Sequence, residues 1–67
     1  MTPAQTDLQN RLLKIRGTSI LEIAIHNAAK NDLGDALRLI RSCYEDNPEM
    51  MREILGENLM AEILKQN

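Results

Sequence analysis

The chain has 67 residues, a formal charge of −2, one Cys, one His, one Tyr and neither Phe nor Trp. A chain this short makes one domain at most and buries only about 60% of the surface its unfolded form exposes. Cys43 alone excludes an internal disulfide, and with His26 it falls short of the four ligands a structural zinc site needs. With no covalent or metal staple behind a thin core, a partner or a second copy is the first expectation.

The apolar set is ten Leu, seven Ile, six Ala, four Met, one Cys and one Tyr, with no Val. Leu, Ala and Met favour helices, while the β-branched and aromatic residues that favour strands are scarce apart from Ile. The expected fold is therefore all-α, a compact bundle of four or five short helices around a central antiparallel hairpin. No stretch approaches the ~20 apolar residues of a membrane span, and the first residues lack a charged-then-apolar secretion pattern. A cytoplasmic protein is expected, in keeping with the single thiol. Residues 1–41 carry a net +2 and residues 42–67 a net −4. That balance argues against a dedicated nucleic-acid binder, which shows a basic surplus.

Thr2-Pro3-Ala4-Gln5 reads as a capping box with proline at the first helical position, opening a helix over about 3–16. Leu8, Leu12 and Ile15 give it one stripe, Asp7 and Arg11 a pair four apart, and Gly17 a terminator. Ser19 and Glu22 form a second box, with Thr18 a competing cap, before a helix over 19–30. That helix is apolar nearly all round, its polar residues Glu22, His26 and Lys30 confined to one line. Such a helix is expected to be central and buried on most of its circumference. Asn31 or Asp32 caps a third helix over 33–45, which must fold back on the second because so little chain joins them. Asn47-Pro48-Glu49 opens a fourth over 48–55. An end at Gly56, a turn at Glu57-Asn58 and a fifth helix over 59–66 complete the chain; a continuous helix over 48–66 is the alternative.

Chemistry has few places to sit. Cys43 lies in an apolar row and reads as a small core residue, and His26 as a surface histidine. Gly17, Gly34 and Gly56 are isolated, so no phosphate-cradling loop exists. No enzyme activity, metal site or cofactor is expected. Arg38 and Arg41 share one side of the third helix, as a DNA-contacting helix requires. Its first turn, however, is Leu33-Gly34-Asp35-Ala36-Leu37, where a recognition helix places polar or basic residues.

Residues 20–48 resemble a single tetratricopeptide repeat. Ile20, Ile23 and Ala24 fall at its large-large-small positions, Ala36, Ile40 and Cys43 at its small-large-small positions, and Pro48 at its closing proline. Asn27 stands where an aromatic is usual, and Asp32-Leu33 replaces the glycine of the turn. Ile25-His26-Asn27-Ala28-Ala29 followed by Ala36-Leu37-Arg38-Leu39-Ile40 is also similar to an ankyrin repeat without its Thr-Pro opening. Either resemblance implies an αα-hairpin with a small-residue seam, and arrays of either kind need about three copies for stability.

The expected function is a small non-enzymatic protein–protein interaction module: an adaptor, a chaperone-like subunit or an inhibitor of a larger assembly. The surplus of apolar residues over what short helices can enclose carries that expectation. Leu39, Tyr44, Met50, Met51 and Met60 are the candidate partner-binding residues, taking another protein's helix or a second copy as a homodimer. The alternatives are a helix-turn-helix type DNA-binding regulator using Arg38 and Arg41, and a purely structural homo-oligomer.

Overall fold

Among the described residues five helices form, the first four where the start signals fall: α1 (Pro3–Leu13), α2 (Ile20–Asn31), α3 (Leu33–Asp46), α4 (Pro48–Leu55) and α5 (Glu57–Lys65). They come from a computed structural model that describes residues 2–17 and 19–66. Thr18, the competing cap, lies outside the described residues. No strand occurs among those described, so the fold is all-α, a bundle of short helices. Its Cα radius of gyration is 10.7 Å, against about 11 Å for a compact chain of this length.

The local signals act as written at three of the starts. Thr2 Oγ1 accepts from the Gln5 amide while the Gln5 side chain accepts from the Thr2 amide, closing the capping box. Asn47 Oδ1 accepts from the Met50 amide ahead of Pro48. Ser19 Oγ accepts from the Glu22 amide, but the Glu22 carboxylate takes the Ser19 hydroxyl instead of its backbone N–H. Asp32 holds the N-cap position of α3 with no side-chain cap bond; Asn31 Nδ2 donates to Asp35 instead.

Two boundaries and one burial pattern differ from the sequence expectation, each for a physical reason. α1 ends at Leu13 rather than near 16, because Lys14 and Ile15 donate three residues back, to Arg11 and Leu12. These tighter turns unwind the helix end before Gly17. α5 begins at Glu57, with no intervening turn at Glu57-Asn58. Gly56 adopts φ 85° and ψ 152°, closing α4 through its N–H to Arg52 O while its own carbonyl accepts from Met60. One glycine thus serves as both the end of a helix and the start of the next, and a continuous helix over 48–66 does not form.

The third difference concerns α2. Its contacts with α3 are the most extensive between any two helices, so the hairpin stands at the heart of the fold. Yet α2 buries only Ile25 and Ala29, while α3 buries Leu33, Ala36 and Ile40. α3 packs against α2 and α4, and α2 against α1 and α3, so each has two substantial neighbours among the described helices. The helix expected to be enclosed is nonetheless half bare, with Ile20, Ile23, Asn27, Lys30 and Asn31 exposed. Leu8 and Leu12 from α1, Met51 from α4, and Leu59, Met60 and Ile63 from α5 complete the core.

Three arginines tie the helices across the surface. Arg11 reaches Glu62 on α5 and lies 3.8 Å from Asp7 on its own helix. These partners are substantially solvated, so such a pair contributes at most about 1 kcal/mol. Arg41 donates to the Gln66 carbonyl and, at 3.4 Å, to that of Ile63, satisfying groups at the open C-terminal end of α5. Arg52 donates to the Tyr44 hydroxyl at 2.9 Å, with its guanidinium 5.5 Å from the ring centre.

Gly56→Ala is expected to lower unfolding free energy by about 1–3 kcal/mol, because its backbone conformation is essentially open only to glycine. No atom stands within 4 Å of the added methyl group, so the loss is one of backbone strain alone. Urea denaturation followed by circular dichroism measures it, with the native helix content unchanged.

Candidate functional site

α2 sets its residues on two opposed faces. Ile25 and Ala29 point into the core, and Ile20, Ile23, Asn27 and Lys30, spaced three, four and three apart, form the solvent-facing row. The row is apolar in its first half and polar in its second. Ile20 is 88% exposed and Ile23 49%. Of the large hydrophobic side chains described, only Met50 at 37% and Leu64 at 48% are comparably open. Ile20 and Ile23 lie one helical turn apart, which makes them a continuous patch rather than scattered residues.

Beside Ile23 the surface is concave. An open cleft of about 320 Å³ is lined by Ile15, Arg16, Gly17, Glu22, Ile23 and His26. Ile15, Arg16 and Gly17 of the non-helical segment after α1 form one wall, and Glu22, Ile23 and His26 of α2 the other. The Glu22 side chain lies where a Cβ on Gly17 would stand, so this carboxylate is folded against the segment. It also accepts from Ser19 Oγ at 2.8 Å. His26 Nδ1 is buried with no hydrogen-bond partner among the described residues, while the residue as a whole is half-buried.

The five residues singled out in the sequence do not share one surface. Met51 and Met60 are 0% and 1% exposed and belong to the core, which corrects their assignment to a partner face. They fall on the inner stripes of α4 and α5, with Ile63 and Leu59, so the bundle itself covers them. Leu39 and Tyr44 are half-buried against the core, and Met50 alone of the five is open. Tyr44 finds within the chain the hydroxyl partner expected of a binding partner, Arg52. Cys43 is half-buried and packed against the core, as its apolar row predicts.

The arginines proposed for DNA have other contacts. Arg38 pairs with Asp35 one turn earlier, and Arg41 binds carbonyls near the end of α5. Among the described residues no three His, Cys, Asp or Glu side chains gather where a metal ion could sit. No described helix is long and apolar enough to cross a membrane.

Ile15, Ile20 and Ile23 were not singled out as binding residues from the sequence, although the signal was present. A helix apolar all round needs neighbours on every side, and five short helices supply α2 with too few. No known protein family, curated protein or solved structure matches the chain. The resemblance of residues 20–48 to helical repeats rests on residue spacing alone.

Burial separates neighbouring methionines by their effect on stability. Met51→Ala and Met60→Ala are each expected to cost about 2–5 kcal/mol through lost packing. Met50→Ala should stay within about 0.5 kcal/mol of the parent, as a surface change does. Chemical denaturation of the three variants distinguishes them, and equal losses would contradict the core assignment.

Proposed function

We propose that this protein is a small interaction module without catalytic activity, which works by occupancy as an adaptor, a chaperone-like subunit or an inhibitor of a larger assembly. Its docking surface is the outward face of α2, and its occupant is an amphipathic helix of another protein. The observation that carries this reading is the exposure of Ile20 and Ile23, one turn apart, next to a cleft walled by Ile15 and Ile23. Two large aliphatic side chains left in water forgo a few kcal/mol of burial, at about 1.5–3 kcal/mol for each side chain fully enclosed. A partner helix recovers that term by laying its own apolar row along α2 and setting one side chain in the cleft. The proposed surface moves from α3, α4 and α5 to α2, with Met50 and Leu64 outside it.

Catalysis has little support in this arrangement. The cleft holds one histidine and one carboxylate, and the carboxylate is already engaged with Ser19. Nor does a DNA-reading surface gain support, because Arg38 and Arg41 are engaged within the bundle.

Ile20→Glu and Ile23→Glu are expected to leave stability within about 0.5 kcal/mol of the parent. A helical peptide with leucines at i, i+3, i+4 and i+7 and glutamine flanks should shift the amide signals of residues 15–27 in the parent. The same peptide should leave those signals unmoved in the Ile23→Glu variant. Shifts confined to α4 and α5 would place docking elsewhere.

A further inference from the structure

The charges around the exposed isoleucines are not balanced. Arg16 stands at the rim of the cleft, before the start of α2, and Lys30 closes the same outward row at its other end. Ten residues of helix separate Ile20 from Lys30, about 15 Å along the axis. The apolar patch thus has one cation beside it, at the cleft, and another farther along the same row. Neither Arg16 nor Lys30 forms an ion pair among the described residues, whereas Arg11 and Arg38 do. The one carboxylate lining the cleft is Glu22, held by Ser19 and folded against Gly17. Asp32, at the far end of the hairpin turn, is the remaining carboxylate beyond Lys30. Within residues 15–30, which build this face, Arg16 and Lys30 stand against Glu22 alone, a net +1.

From this arrangement we infer that the partner is an acidic amphipathic helix, one that sets apolar side chains on Ile15, Ile20 and Ile23 and carboxylates on Arg16 and Lys30. The inference rests on the docking reading above and adds the partner's chemistry. Opposite charge at the rim of an apolar contact speeds encounter and rejects partners of the wrong sign. A second copy of this chain fits less well, because it would bring another Arg16 and Lys30 to the same rim. Nucleic acid offers phosphates but no apolar surface to cover Ile20 and Ile23. A bilayer surface is flat on this scale, and the cleft beside Ile23 is concave, shaped for a side chain.

Three probes against the full chain test the inference: a helical peptide with leucines at i, i+3, i+4 and i+7 and glutamate flanks, its twin with lysine flanks, and anionic phosphatidylserine vesicles. The glutamate peptide is expected to bind about tenfold or more tightly than the lysine twin, with the difference shrinking as salt screens the pairs. Arg16→Glu combined with Lys30→Glu should reverse the preference without changing the thermal midpoint appreciably. Equal or stronger binding of the lysine twin would overturn the acidic partner while leaving docking on α2 intact. Binding of either peptide that Ile23→Glu does not weaken would instead remove the docking reading itself. Vesicle binding lost in Ile23→Glu, with no peptide bound, would assign the face to a membrane and overturn the proposal. A mass that rises with concentration in the parent but not in Ile23→Glu would assign it to a second copy, with the same consequence.

Discussion

The contact between α2 and α3 is the constraint on which the rest of the molecule depends. Ala29 and Ala36, both wholly buried, let two backbones approach closely, and Ile25 and Ile40 fill the space beside them. A single residue, Asp32, joins the helices in an extended conformation, so the reversal is sharp and its geometry admits little adjustment. With that seam formed, α3 can turn its other side to α4, and the chain continues in one direction around it. Placing larger side chains at either alanine would push the helices apart and open the core from its middle.

Closing the bundle is then a matter of returning α5 to the beginning of the chain. Gly56 makes the reversal after α4 within one residue, bringing Leu59, Met60 and Ile63 into the core. Arg11 and Arg41 bind α5 from two different helices, one through Glu62 and one through terminal carbonyls. Apolar burial supplies most of the stabilisation here, as in small domains generally, while these polar contacts fix where α5 lies. None of this material covers the outer face of α2, where Ile20 and Ile23 stay exposed.

That asymmetry separates the two kinds of apolar surplus in the chain. The methionines of α4 and α5 are mostly absorbed: flexible side chains suit an irregular interior enclosed by short helices. The isoleucines of α2 are left over. Local chemistry does not explain their exposure, since Ile20 follows a well-formed serine cap and lies in a strong apolar segment. None of the described helices covers them. The proposed role of α2 in taking a partner follows from that remainder, and Arg16 and Lys30 supply the partner's sign.

Much of the fold was legible in the chain because helix starts are local events. Thr2, Ser19 and Asn47 each satisfy orphan amides from within four residues, so their effect is written in the neighbouring sequence. The start of α4 and its end at Gly56 were readable for the same reason. The docking face was not. Periodicity tells which residues of a helix are apolar, but it does not tell which of several apolar sides meets another helix. Met51 and Met60 looked like surface residues and Ile20 and Ile23 like core residues until the bundle was assembled. The sequence by itself determined the helices, their caps and the antiparallel hairpin, all of which depend on residues close together in the chain. Only the tertiary structure decided that the outer face of α2 stays open while Met51 and Met60 are enclosed, because burial depends on how many neighbours a face acquires from distant segments.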